Sequence, residues 1–190
     1  MIRLFRKIMA QLAHIMALAA SERRKIVARL CYDVRFGPHV RIDRGVMLVT
    51  RQGGRIRIGG NTHIWPGAII DARGGVIEIG ADSLSNAGSY IVAGERVTIG
   101  RAALIAEYVT IRDTDHAAHD PHAPMREQGR VTSPVTIAEN VWLAAKVTVT
   151  KRLDNRLRRV SPTTKPILSS ASIRSSSAEM KMSAGAPASI

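Results

Sequence analysis

An apolar residue recurs every sixth position through the middle of this chain, and few folds accept that period. Five segments stack on one another without gaps: Phe36-GPHVR-Ile42-DRGVM-Leu48, Ile58-GGNTH-Ile64-WPGAI-Ile70, Ile79-GADSL-Ser85-NAGSY-Ile91, Ile99-GRAAL-Ile105-AEYVT-Ile111 and Ile137-AENVW-Leu143-AAKVT-Val149. A helix repeats about every 3.6 residues and a strand every 2, so neither explains a six-residue beat held for three beats. A coil with three short flat faces does. Each beat turns one aliphatic side chain inward, a glycine or another small residue follows it, and successive coils stack at the strand spacing of about 4.8 Å. The first four segments start at 36, 58, 79 and 99, which are 22, 21 and 20 residues apart. Each is therefore an eighteen-residue coil with a few extra residues at a corner such as Gly53-Gly54 or Gly74-Gly75. This is the pattern of the left-handed parallel β-helix, an all-β fold, over residues 32–150, with the isoleucines of the beat as its core.

Length and composition agree with one folded unit plus tails. The chain has 190 residues, 45% of them hydrophobic but only 4% aromatic, so the core has to be aliphatic. A single cysteine, Cys31, excludes an intramolecular disulfide and a CxxC zinc site, and no run of about 18 apolar residues marks a spanning helix. The formal charge of +13 sits at the ends of the chain. Residues 1–30 carry seven basic side chains and one acid, and residues 151–190 carry eight and two. That leaves thirteen bases and twelve acids between them, so the folded part lacks the basic stripe of a nucleic-acid binder.

Residues 1–31 read as an amphipathic helix. Ile2, Phe5, Ile8, Met9, Leu12, Ile15, Met16 and Ala19 fall at three-and-four spacing on one stripe. The first expectation is that this stripe packs on the chain's own fold or on a neighbouring subunit. Contact with an anionic membrane face is the alternative, because Arg3, Arg6 and Lys7 accompany the stripe. A secretory signal ending near Ala17-Leu18-Ala19 is disfavoured by Gln11 and His14 inside the apolar region.

The rhythm breaks once. Ile99 and Ile137 are 38 residues apart, one coil plus an insertion over 113–134 that reads Asp113-TDHAAHDPHAPMREQGRVTSP. Loops of that length on a rigid scaffold usually carry function. This one holds His116, His119 and His122, three of the six histidines, with Pro121, Pro124 and Pro134 to restrict its shape. The HAAHDPH spacing matches no strong zinc signature, and no metal is expected. General base catalysis by a neutral imidazole is the stronger use.

The stretch from Ile111 to Trp142 resembles the sugar O-acetyltransferase branch of the hexapeptide-repeat acyltransferases, which read close to R-D-x-D-H, P-x-R-E-Q-G and N-V-W. The resemblance implies that His116 is the catalytic base, activating a hydroxyl of a sugar or polysaccharide precursor for attack on acetyl-CoA. His119 and His122 are bystanders. It implies that Trp142 borders an acyl-CoA channel between neighbouring subunits of a homotrimer. Ala145 would then offer a backbone group to the pantetheine arm, and Asn86 would orient the acceptor sugar. Work on acetyl-CoA implies a cytoplasmic location, peripheral at the inner membrane face if residues 1–30 dock there.

Three departures stand out near the end of the repeat. Ala138 and Ala144 replace glycines of the family pattern and Lys146 replaces an asparagine, so a methyl group is expected to hinder the turn or a ligand. After Thr150 the beat is lost: Asn155 stands where an isoleucine belongs, and nine of the forty residues of 151–190 are serine. Relatives continue for about two more coils, which complete the acyl-CoA channel. The irregular basic tail reads either as out-of-frame sequence or as a functional disordered segment. The alternative to an active O-acetyltransferase is thus a truncated, catalytically weak or inactive β-helix.

Overall fold

The computed structural model describes residues 2–151. The predicted irregular tail lies outside the described residues, apart from Lys151. One helix, α1 (Ile2–Cys31), precedes three five-stranded parallel sheets that form the faces of a β-solenoid, with a separate two-stranded antiparallel ribbon. The first face stacks Val34–Phe36, Arg55–Ile58, Val76–Ile79, Arg96–Ile99 and Val135–Ile137. The second stacks Arg41–Ile42, His63–Ile64, Leu84–Ser85, Leu104–Ile105 and Trp142–Leu143. The third stacks Met47–Arg51, Ile69–Arg73, Tyr90–Ala93, Thr110–Arg112 and Thr148–Thr150. The fold is the coil stack that the six-residue beat predicts.

The register matches the beat residue for residue. Phe36, Ile58, Ile79, Ile99 and Ile137 pair in sequence down the first face. Ile42, Ile64, Ser85, Ile105 and Leu143 do so down the second. Leu48, Ile70, Ile91, Ile111 and Val149 do so down the third. Nearly all of them are buried, and a fourth aliphatic ladder, Val34, Ile56, Ile77, Val97 and Val135, is buried alongside the first. Ser85 is the one polar rung, and its hydroxyl is satisfied by the Ser89 hydroxyl 2.6 Å away.

Two corners of each coil turn through a residue with left-handed backbone. At the first corner these are His39, Asn61, Asp82, Ala102 and Asn140, and at the second Gly45, Gly67, Gly88, Tyr108 and Lys146. Each such residue in the second to fifth coils donates its N–H to the corner carbonyl of the coil before, as Asn140 does to Arg101 and Lys146 to Glu107. Lys146 adopts φ of 63°, a conformation that asparagine and glycine reach at lower cost.

The glycine that opens the first corner is required for another reason. A Cβ on Gly100 would lie 2.4 Å from the backbone nitrogen of Glu139 in the next coil. Ala138 holds the same position in the fifth coil, where no further described coil presses on it. At Ala144 the expected hindrance of the turn does not arise either, because that corner position carries Asp43, Trp65, Asn86 and Ala106 in the other coils.

Helix α1 caps the first coil through its second half. Strand Arg41–Ile42 has a partner strand on one side only. On its other side the Ile42 N–H donates to Ser21 Oγ at 2.8 Å, Lys25 Nζ donates to the Val40 carbonyl at 2.9 Å, and Arg24 donates to the Ile42 carbonyl at 3.1 Å. Side chains thus satisfy an edge that would otherwise be open to pairing. The buried residues of the helix are Ser21, Lys25 and Ala28. The apolar stripe expected to pack on the fold does not: Phe5, Ile8, Met9, Leu12, Ile15 and Met16 are all exposed. At about 100° per residue, Leu12 and Ser21 point half a turn apart, so helix docking uses the small polar face.

Gly100→Ala should lower stability by about 1–3 kcal/mol, because the coil that follows has to shift to admit one methyl group. Urea unfolding followed by circular dichroism measures this. An unchanged midpoint would mean that the coils do not stack as closely as described.

Candidate active site

The insertion is an arm built on a ribbon rather than a plain loop. Strands Thr114–His116 and Arg130–Thr132 pair antiparallel, with Thr114 opposite Thr132, Asp115 opposite Val131 and His116 opposite Arg130. A short 3-10 turn, Met125–Glu127, lies beyond the ribbon.

Asp113 anchors the arm. Its side chain is fully buried and accepts the backbone N–H groups of Gly94, Glu95 and Arg96 and the hydroxyl of Thr114, each at 2.7 Å. Four short bonds to one carboxylate fix the arm's root to the corner that follows the third coil. Gly94 makes the approach feasible, since a Cβ there would lie 2.5 Å from Thr114 Oγ1. Asp115, one residue before the histidine, faces Arg112 at 3.7 Å and Lys151 at 3.8 Å.

Gln128 fixes the far part of the arm. Its carbonyl oxygen accepts the N–H groups of His119 and Asp120, and its amide donates to the carbonyls of Asp120 and Ala123, all within 2.9 Å. Asp120 in turn accepts the His122 N–H at 2.8 Å. The arm thus has the fixed shape that its prolines suggested. His116 itself is exposed, its backbone held by the ribbon and its ring free to meet a partner. Among the described residues no group of three His, Cys, Asp or Glu side chains could hold a metal ion, and His116, His119 and His122 form no such group.

The other sequence-predicted residues lie elsewhere on the solenoid. Asn86 opens the second corner of the third coil. There its Oδ1 accepts the Ala87 N–H at 2.8 Å, while its amide reaches Glu107 at 3.4 Å in the next coil. Trp142 lies on the second face beside Leu104, and both side chains point outward, Trp142 with 70% of its surface exposed. Ala145 follows at the second corner of the fifth coil. One chain therefore groups Asn86, Trp142 and Ala145 around one corner and puts His116 beyond the other end of the third face. Four residues of extended chain separate those corners, about 13 Å. The single chain does not bring the four together.

Two polar clusters escaped the sequence reading. On the outer third face, buried Asp71 holds Arg73 at 2.7 Å, and Arg73 also donates to the Tyr90 hydroxyl at 2.8 Å. At the second corner, His63 lies 2.9 Å from Asp43 and its ring centroid lies 5.4 Å from that of Trp65. Trp65 stands one coil before Asn86 on the same corner. Outward positions of the hexad are free of packing constraints, so the repeat gave no signal for either cluster.

Comparison with known proteins shows what this three-faced solenoid is similar to. A probable acetyltransferase of Mycobacterium tuberculosis is 29% identical over 120 residues, 59% of this chain and 40% of that protein. A putative lipopolysaccharide biosynthesis O-acetyl transferase of Escherichia coli is 32% identical over 133 residues, 66% of this chain and 63% of the relative. The galactoside O-acetyltransferase of Escherichia coli is 34% identical over 93 residues, 48% of this chain and 44% of the relative. The matched segments thus span between 40% and 63% of the relatives' lengths. No protein-family model matches the chain, and no solved structure matches it significantly. The relatives are acetyltransferases, and the β-solenoid is consistent with the hexapeptide-repeat acetyltransferases.

Asp113→Ala leaves three backbone N–H groups without their acceptor and should cost at least about 2 kcal/mol, with faster hydrogen exchange over 114–132. Gln128→Ala should speed exchange only at 119–123 and leave the unfolding free energy within about 0.5 kcal/mol of the parent. If exchange across the arm is the same in both variants as in the parent, Asp113 and Gln128 do not hold it.

Proposed function

We propose that the chain is an O-acetyltransferase that moves an acetyl group from acetyl-CoA to a hydroxyl of a sugar or polysaccharide precursor. The observation that carries this reading is the anchored arm presenting His116, on a solenoid similar to named O-acetyltransferases. The neutral His116 imidazole takes the proton of the acceptor hydroxyl as its oxygen attacks the thioester carbonyl. The tetrahedral intermediate collapses, the C–S bond breaks, and the imidazolium returns the proton to the departing CoA thiolate. The products are an acetyl ester and CoA.

The methylene and methyl groups of the donor's pantetheine arm suit the outward apolar strip of Leu104 and Trp142, and its amides could meet backbone groups at Ala145 on the adjoining corner. Because His116 and this strip lie at different corners of one chain, a complete site needs a second chain, and a homotrimer meets that need by setting one protomer's arm against its neighbour's second corner. Asn86 and the Trp65 ring would then face the acceptor sugar. Acetyl-CoA as donor implies work in the cytoplasm.

His116→Ala should lower acetyl transfer by about 10²–10⁴-fold while binding of acetyl-CoA stays within about twofold, measured by release of free thiol in the presence of candidate sugar acceptors and by calorimetry. Equal transfer by parent and variant would remove His116 from the mechanism.

A further inference from the structure

Helix α1 is fixed to the solenoid by the face opposite its apolar stripe. Ser21, Lys25 and Ala28 are buried against the first coil, with hydrogen bonds from Lys25 and Arg24 to coil carbonyls and from Ile42 to Ser21. Residues 5–20 of the same continuous helix run on without burial, except for half-buried Ala17 and Ala20. Phe5, Ile8, Met9, Leu12, Ile15 and Met16 form an outward strip, about 17 Å long at 1.5 Å per residue. The docked half dictates which way this strip faces, so the described part of the chain cannot fold back to cover it.

The charge on this segment selects the occupant. Before Glu22 the helix has three cations, Arg3, Arg6 and Lys7, and no carboxylate. In two copies laid stripe to stripe, these cations would find no acidic partner in the same segment. An anionic lipid surface supplies both the apolar layer for the stripe and the negative charge for the cations. A helix with a wide apolar face, basic residues on its polar face and modest mean hydropathy is the form that lies in a membrane interface. No helix among the described residues is long and apolar enough to cross a membrane. We propose that residues 5–16 of α1 lie in the plane of an anionic bilayer surface, apolar stripe inward, with the solenoid held on the aqueous side of the helix.

The test is co-sedimentation of the full chain with vesicles of phosphatidylcholine alone or mixed with phosphatidylglycerol. The parent should bind the anionic vesicles on the order of tenfold more tightly than the neutral ones and should be released as salt rises. Leu12→Glu/Ile15→Glu should weaken that binding on the order of tenfold or more, with the solenoid's thermal melting unchanged. The basic residues beyond 151 are intact in this variant, so binding that survives it comes from elsewhere in the chain and overturns the proposal. Light scattering separates the remaining outcome: if the parent ignores vesicles and the variant loses an assembly that the parent forms, the stripe covers a second copy and the proposal fails. Acetyl transfer plays no part in either readout.

Discussion

Close stacking of one coil on the next is the constraint on which everything else rests. An interior built of close-packed aliphatic ladders has no room for a misplaced rung, and each ladder exists because the backbones of successive coils run in register at the parallel-strand spacing. Register in turn depends on corners that repeat the same conformation. The left-handed residue fixes the turn, and the glycine that opens the first corner lets the next coil approach. A solenoid of this kind is quasi-one-dimensional, with each coil stabilised by its neighbours, so its end coils need protection of their own. Helix α1 provides it at the first coil, through hydrogen bonds at Ser21, Arg24 and Lys25 and through Ala28, which joins the apolar core.

The same rigidity explains the arm. An insertion between stacked coils starts and ends at positions that the scaffold already fixes, so a single buried carboxylate is enough to set its direction. Asp113 ties down the root of the arm that carries His116, and Gln128 braces its tip. The chemistry proposed for His116 rests on that geometry. A general base loses effectiveness when its ring wanders by even about an ångström from the proton it takes.

Much of the fold was legible because the beat residues are selected by packing alone. Ile58, Ile64 and Ile70 have one task, and their spacing reports it directly. The docking mode of α1 was not legible, since periodicity identifies an apolar stripe but not what it touches. Ser21 and Lys25 contact the solenoid through hydrogen bonds, which leave no hydrophobic pattern. In the arm, the histidines stood out in the sequence as candidates, whereas the buried role of Asp113 was hidden inside the motif that contains it. Arg73 and Trp65 left no trace for the same reason that most outward residues leave none: the hexad constrains only what points in. The separation of His116 from Trp142 became visible only once the coils were placed in space.

Whether the chain carries a donor site is the point on which its function turns. Calorimetric titration with acetyl-CoA, with light scattering on the same sample, tests it most directly. The expected result is about micromolar binding at one site per chain, in a trimer. Absence of binding by a folded trimer would contradict it and favour a β-helix that keeps the histidine arm without the activity.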